Sequence, residues 1–190
     1  MTSEKIKNEL YEWAYSIVIA LAVALFIHIF LFQPTRVSGE SMVPTLENGD
    51  YLIVSKVGHV MGDMPEYGDI VIIDSRTHYD RTWRDDVSEP LTNYLAFFNK
   101  KFATKNIWVK RVIGHPGDTL EFKDGAVWRN GEKLDEPYIN DEPMKTDGRQ
   151  ITVPENHVFV MGDNRNHSSD SRFIGPVPTD HVLGRVVLDL

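Results

Sequence analysis

The run from Ala14 to Phe32, AYSIVIALAVALFIHIFLF, most constrains what this chain can fold into. It contains no Asp, Glu, Lys or Arg, and its length suits a helix that crosses a bilayer core of roughly 30 Å. A cleaved signal peptide has a shorter apolar core and a small-residue cleavage site, whereas this run ends in bulky side chains followed by Pro34. We therefore predict one uncleaved transmembrane helix over residues 14–32, preceded by a polar segment at residues 1–13.

Charge leaves the orientation of this helix open. Lys5 and Lys7 precede it and Arg36 follows it closely, so the excess of basic residues that marks a cytoplasmic flank is nearly balanced. His28 lies within the apolar run. It has two interpretations, an intramembrane functional group or a neutral, partly hydrated residue near the interface.

After Gln33 the pattern changes to short apolar runs bounded by turn residues, which is typical of β-strands. The chain has 190 residues, enough for about one ordinary domain besides the helix. We predict a mainly β fold, in which a single N-terminal transmembrane helix precedes a β-barrel-like domain over residues 33–190. The predicted strands are Asp50–Val57, Gly68–Asp74, Trp108–Ile113, Thr119–Phe122, Ala126–Arg129, His157–Met161 and Gly184–Leu190. Turns at Lys123-Asp124-Gly125 and Asn130-Gly131 predict a series of hairpins.

The stretch 77–106 interrupts this series of strands, and we predict an inserted cap region there. It begins with charged residues and becomes aromatic, with a helical pattern around Leu91–Phe102. Two interpretations stay open, an amphipathic helix packed on the body and a segment that dips into lipid beside the anchor. The side chains that would enter lipid or its head groups are Tyr94, Leu95, Phe97, Phe98, Lys100 and Lys101.

Composition excludes several classes of function. The formal net charge is −8 and no basic block is present, which argues against a nucleic-acid partner. The chain has no cysteine, so disulfides, thiol catalysis and cysteine metal sites are excluded. The sequence contains no metal-ligand motif and no phosphate-cradling loop, and we expect no metal or cofactor.

A candidate nucleophile lies directly after the apolar run, in the stretch Ser38–Leu46. Gly39 permits backbone geometries that other residues avoid, and Pro44 restricts its own φ and pushes Val43 towards an extended shape. Ser41 between them would therefore present its hydroxyl on a shaped turn. The alternative is an ordinary entry loop that follows a membrane helix.

Lys110 is the candidate base. In a strand it shares a face with Trp108 and Val112, because alternate residues point the same way, while Arg111 points the other way. An apolar face desolvates the ammonium and lowers its pKa, as a lysine base requires. The alternative is an edge lysine whose head group reaches water. Among the seven histidines, His115 and His167 lie in turn or loop sequences that do not favour a base.

Four stretches, in this order, resemble type I signal peptidases, the Ser/Lys leader peptidases of bacteria. They are Gly39–Leu46, Gly68–Val71, Lys110–Asp118 and Gly162–Arg172. The resemblance implies Ser41 as nucleophile and Lys110 as general base, with Ser168 hydrogen-bonding to the lysine and orienting it. Residues that would support the site structurally are Asp163, Asp170 and Arg172, the last two as an ion pair.

The family pattern also implies topology and substrate. Residues 1–13 would face the cytoplasm, and residues 33–190 would form an extracytoplasmic catalytic domain on the plasma (inner) membrane. The substrates would be preproteins that carry signal peptides, bound extended along strands near Ser41, and the lipid bilayer would be the other partner. Some members carry serine two residues before the nucleophile to hold the oxyanion. This chain has Gly39 there, so the Ser41 N–H would be the main donor.

Two other functions remain compatible with these residues. One is a specialised processing peptidase with few substrates. The other is a non-catalytic, membrane-anchored β domain that binds partners, although the presence of both Ser41 and Lys110 speaks against it.

Overall fold

The structure, a computed structural model, describes residues 3–98, 106–140 and 142–189. The helices are α1 Ser3–Phe30, α2 Val57–Met61, α3 Trp83–Phe98 and α4 Ser171–Ile174. The strands are β1 Phe32–Arg36, β2 Tyr51–Ser55, β3 Ile70–Asp74, β4 Ile107–Gly114, β5 Thr119–Lys123, β6 Ala126–Arg129, β7 Glu132–Lys133, β8 Gln150–Thr152, β9 His157–Met161, β10 Val177–Pro178 and β11 Val182–Asp189. Two single-turn 3₁₀ helices span Arg165–His167 and Thr179–His181.

The strands form two antiparallel sheets. The larger has the order β1-β2-β11-β3-β4-β9-β10, and the smaller has the order β7-β6-β5-β8. Since β4 lies between β3 and β9, its side chains are flanked on both sides. The predicted mainly β fold behind an N-terminal apolar helix is confirmed.

Local sequence explains most of the strands. Buried Leu52 and Val54 alternate with more exposed neighbours in β2, the period of a half-buried strand. The turn between β5 and β6 carries Asp124 at φ 52° and Gly125 at φ 73°, as the predicted hairpin turn requires. The alternation cue misses β1, which contains Pro34 and lies at the sheet edge, where a missing N–H is tolerated.

The helical bounds differ from those expected. Helix α1 begins within the polar segment, at Ser3, and ends at Phe30, so that Phe32 opens β1. Within the described residues, the part of α1 from Lys7 to Phe30 is long and apolar enough to cross a membrane, with a mean hydropathy of 2.3. None of that apolar window is buried inside the protein.

The inserted region contains α3, which begins at Trp83 rather than at Leu91. Asp85 accepts hydrogen bonds from the backbone N–H and the hydroxyl of Thr82, and these contacts secure the start of the helix in the charged part of the stretch. The expected lipid contact concerns Tyr94, Leu95, Phe97, Phe98, Lys100 and Lys101, whose side chains lie outside the described residues.

Three clusters of buried apolar side chains hold the sheets together. One lies under the candidate serine and comprises Val37, Met42, Leu46 and Leu52. A second packs on one face of β4 and includes Val71, Val112 and Val160, with Trp108 against it. The third fills the space around the smaller sheet and includes Phe122 and Phe159. The candidate serine and lysine therefore sit over well-packed cores.

Candidate active site

Ser41 lies on the loop between β1 and β2. Its neighbour Met42 and the nearby Leu46 are almost fully buried, and the Leu46 N–H donates to the Met42 carbonyl at 3.0 Å. These two apolar side chains anchor the loop in the core and leave the Ser41 side chain half-buried above it. At the other end of the loop, the Gly39 N–H donates to Asn48 Oδ1 at 3.0 Å.

Lys110 approaches this serine from β4. Its Nζ donates to Ser41 Oγ at 2.8 Å and to the Val109 carbonyl at 2.9 Å. The lysine is only 3% exposed, and its Nζ lies 5.6 Å from the centroid of the Trp108 ring. The strand alternation that the sequence predicted, with Trp108 and Val112 on one apolar face, is present in the second core cluster.

The pKa of Lys110 is lowered to about 8, chiefly by burial and to a smaller extent by Arg172, while Asp170 and Asp163 act in the opposite direction. Burial has the largest effect on this pKa because the ammonium loses most of its hydration in this site. A lysine with such a pKa has a substantial neutral fraction near pH 8. The neutral amine can accept a proton from a hydroxyl within hydrogen-bond reach.

The loop after β9 clamps the backbone of the serine loop. The Asn164 N–H donates to the Ser41 carbonyl at 3.0 Å, and Asn164 Nδ2 donates to the Glu40 carbonyl at 3.0 Å. At Gly162 an added Cβ would overlap both the Ser41 carbonyl and the Ser168 hydroxyl. Glycine at 162 is therefore what lets the two loops touch. Sequence reasoning missed the clamp by Asn164, although its Gly-Asp-Asn turn signal was visible.

Ser168 lies beside Gly162, where it is buried. Its Oγ has no hydrogen-bond partner among the described residues, and the two hydrogen bonds of Lys110 Nζ go to other atoms. The structure thus brings Ser168 to the same loop junction as Ser41 without a direct bond to the lysine. The expected orienting role of Ser168 stays a prediction.

The predicted supporting carboxylates are both fully buried and paired. Asp170 binds Arg172, with Oδ2 2.8 Å from Nη2, and also accepts the Gly162 N–H at 3.0 Å. Asp163 forms a two-point pair with Arg111, at 2.8 and 2.7 Å. One ion pair thus stabilises the beginning of the loop over residues 162–172, and the other stabilises its end.

Several residues of this support were not singled out from sequence. The hydroxyl of Thr45 donates to Asp163 Oδ2, and the guanidinium of Arg111 lies 4.0 Å from the Tyr138 ring centroid. Arg165 is buried in a two-point pair with Glu136, at 2.7 and 2.6 Å. Only the alternation that turns Arg111 away from Lys110 was readable in advance, because the other partners come from distant parts of the chain.

Gly39 lies two residues before the candidate nucleophile. Gly39 has φ 107° and no atom within 4 Å of an added Cβ, so its backbone favours glycine while the space above it is open.

The histidines were the alternative candidates for a base. The His115 ring stacks on Tyr67 with centroids 3.8 Å apart. In the described part of the chain, neither His115 nor His167 hydrogen-bonds to Ser41. No group of three or more acidic or histidine side chains suited to a metal ion occurs among the described residues.

Comparison with known proteins gives the family. Residues 10–190 match the family model described as "Signal peptidase, peptidase S26". The chain is 40% identical over 185 residues to Signal peptidase I of Bacillus licheniformis, covering 90% of this chain and 84% of the relative. It is 31% identical over 197 residues to Signal peptidase IB of Staphylococcus aureus, covering 95% and 88%.

A crystal structure of a signal peptidase I from Enterococcus faecalis V583 superposes with a TM-score of 0.44 at 27% identity, over 65% of this chain and 97% of that one. The family match and the curated relatives define the class of the protein as a peptidase. The chain belongs to the signal peptidase family, peptidase S26, as the four sequence stretches predicted.

Proposed function

We propose that the protein is a membrane-anchored serine endopeptidase that removes N-terminal signal peptides from exported preproteins. Residues 1–13 would lie in the cytoplasm, residues 14–32 would cross the membrane, and residues 33–190 would form the catalytic domain on the extracytoplasmic side, with residues 77–106 as its cap. The curated relatives are named signal peptidases, which supports the substrate class. The exposed apolar helix α1 supports the anchor.

In the proposed mechanism the neutral amine of Lys110 takes the proton of Ser41 as Oγ attacks the scissile carbonyl. The resulting ammonium then donates that proton to the leaving amine, which leaves an acyl group on Ser41. In the second step Lys110 takes a proton from water, and the water attacks the acyl group and releases it from Ser41. The Ser41 N–H would hold the developing oxyanion, with Gly39 leaving room for the substrate backbone. This chemistry needs no metal or cofactor.

The remaining site residues have positioning roles in this proposal. Ser168 would contact the base lysine once the site is occupied, and the Asp170–Arg172 pair holds Gly162 against the serine loop through the bond to the Gly162 N–H. The pair of Asp163 with Arg111 fixes the other side of the same loop. Each acts on geometry rather than on the substrate.

The observation that carries the proposal is the 2.8 Å hydrogen bond between Lys110 Nζ and Ser41 Oγ in a buried setting. A serine-directed acylating probe tests it, read by mass spectrometry of the full-length protein in detergent. We expect one label on Ser41, lost in Ser41→Ala and at least tenfold slower in Lys110→Met. Equal labelling of Lys110→Met and the parent would contradict the dyad, and failure to label the parent at all would favour a non-catalytic binding domain.

The membrane part of the proposal has its own test. Full-length protein in native membranes should resist extraction by high salt and alkaline carbonate, because α1 exposes apolar side chains along its length. Protease should digest the β domain when it is added to cells whose wall has been removed and whose plasma membrane is intact. Release of intact protein by carbonate would overturn the anchor, and protection of the β domain would overturn the orientation.

A further inference from the structure

A cavity of about 580 Å³ lies where α1 ends, away from Ser41 and Lys110. Its walls come from the last turn of α1 at Ile29 and Phe30, from α2 and the residue before it, and from the start of α3. The backbone N–H of Lys56 donates to the Leu31 carbonyl at 2.8 Å, so this wall is fixed directly beside the end of the apolar helix. The cavity is therefore at the level where the proposed anchor leaves the bilayer.

Lys56 lines this cavity and is only 7% exposed. Among the described residues its side chain makes no hydrogen bond, and its electrostatic neighbours are Asp86, Arg81 and Glu89. Burial lowers the pKa of Lys56, and Arg81 adds to this effect while the two carboxylates oppose it. Its Nζ is not enclosed by protein atoms, so an acceptor that enters the cavity can reach the ammonium.

Arg81 lines the same cavity, and its side chain is 3% exposed. Its Nη1 donates to Asp74 at 2.6 Å and its Nη2 donates to Glu89 at 2.8 Å. The third donor, Nε, is buried without a hydrogen-bond partner in the part of the chain that the structure describes. Because Arg81 Nε is enclosed by protein atoms, it is out of reach of a molecule in the cavity, so Arg81 contributes positive charge while Lys56 Nζ offers the donor.

Two of the three carboxylates in the wall are paired with other groups. Asp86 pairs with His59 at 3.2 Å and accepts from Arg81 at 3.1 Å. Asp180 lies 2.9 Å from His181 Nδ1. The third, Asp63, is exposed to solvent, and none of the three accepts a hydrogen bond from Lys56 among the described residues.

Part of the wall is apolar and exposed. Val60 is 57% exposed and Trp83 is 72% exposed, although both line the cavity. Tryptophan is enriched where a polar and an apolar phase meet, at the level of lipid head groups. Exposed apolar side chains, a cavity and a cationic donor without a protein acceptor therefore occur together at the end of α1.

We propose that this cavity binds the phosphate group of a membrane phospholipid, with Lys56 Nζ as the donor, Arg81 as a neighbouring positive charge and the acyl chains along the exposed side of α1. Phosphate oxygens supply the acceptor that Lys56 Nζ lacks. The inference rests on the proposed placement of α1 in the bilayer, and it is independent of the Ser41–Lys110 chemistry.

The test uses full-length protein in detergent micelles and native mass spectrometry with three probes. These are dihexanoyl phosphatidylglycerol, the phosphate-free dihexanoylglycerol and inorganic phosphate. We expect the parent to bind the phospholipid at least tenfold more tightly than dihexanoylglycerol. Lys56→Met should reduce that preference to less than twofold, and Lys56→Arg should keep it. Lys133→Met is the matched control, since Lys133 is exposed on β7, and it should behave as the parent does.

Folding of each variant is checked by thermal unfolding in detergent, in which each variant should show a cooperative transition. An equal affinity of the parent for both lipids would overturn the proposal without any variant. A preference that survives in Lys56→Met would also overturn it. Inorganic phosphate that binds as tightly as the phospholipid, and through Lys56, would show a site for a free anion and overturn the lipid assignment. The Ser41 labelling and the carbonate extraction report on the proposed function separately.

Discussion

Two lysines in this protein are both buried, but the groups around their amines differ. Lys110 in β4 and Lys56, which lies between β2 and α2 beside the end of α1, are both more than nine-tenths buried, and in each case burial lowers the pKa. Lys110 has a hydroxyl 2.8 Å away, whereas Lys56 has a cavity and no hydrogen-bond acceptor among the described residues. Burial alone therefore does not make a lysine a general base. The amine also needs a proton donor, such as the Ser41 hydroxyl, within hydrogen-bond distance.

The regions around the two lysines also differ in how they are held. The site around Lys110 is closed by contacts between backbone segments, such as the bond from Asn164 to the Ser41 carbonyl. The region around Lys56 is held mainly by charged side chains, with Arg81 joining Asp74 to Glu89. We expect changes in the first region to affect chemistry and changes in the second to affect stability and lipid contact.

The largest expected effect separates the two lysines by activity. Lys110→Met should lower kcat/KM for a signal-peptide substrate by about 1,000-fold, the scale of a lost general base, because methionine keeps the volume and removes the amine. Lys56→Met, measured in the same detergent, should change it by less than about twofold. Thermal unfolding of both variants checks that they fold. Comparable losses in the two variants would break the distinction.

A second contrast concerns two fully buried aspartates, Asp163 beside the site and Asp74 beside Arg81. Asp163→Asn and Asp74→Asn should each lower the free energy of unfolding by about 3–5 kcal/mol, because each leaves a partly buried guanidinium short of its partner. Only Asp163→Asn should also lower kcat of the folded enzyme. Denaturant unfolding and active-site titration together separate the two effects.

Asp147→Asn is the matched control for both, since Asp147 pairs with Arg149 on the surface at 3.5 Å and such pairs contribute about 0–1 kcal/mol. If Asp74→Asn reduced kcat per folded enzyme as much as Asp163→Asn, the two regions would be one functional unit and the comparison would fail.

The smallest expected contrast compares two glycines. Gly162→Ala would push a methyl group into the Ser41 carbonyl and Ser168, and it should lower kcat at least tenfold through displacement of the nucleophile. Gly62 ends α2 at φ 74° with open space around it, so Gly62→Ala should lower the free energy of unfolding by about 1 kcal/mol and leave kcat unchanged. Steady-state kinetics with both variants decides this, and an unaffected kcat in Gly162→Ala would contradict the close-contact argument.

Features that depend on local sequence could be predicted. The face of Lys110 followed from strand alternation with Trp108 and Val112, and the hairpin turns followed from Asp124-Gly125 and Asn130-Gly131. These are local patterns, with periods set by the backbone. The order of the four stretches identified the family because each carried its own residue types.

Features that depend on distant packing were not readable. Lys56 lies beside the end of α1 and shares a cavity with the start of α3, and neither feature leaves a periodic signal near residue 56. The same holds for the clamp by Asn164 and for the pair of Glu136 with Arg165, which join segments far apart in the chain. Strand β1 was missed because Pro34 is compatible with an edge strand only once the sheet order is known.

The pH dependence of kcat/KM tests the central claim most directly, because it reports the ionisation of the free enzyme. Burial lowers the pKa of Lys110 to about 8, and the neutral amine is the active form, so kcat/KM should be low at pH 6, rise through an inflection near pH 8 and then level off. Lys110→Arg should be inactive throughout, since arginine stays protonated. An inflection near pH 6.5 that disappears in a histidine-to-alanine variant, with activity retained in Lys110→Arg, would contradict the Ser41–Lys110 dyad.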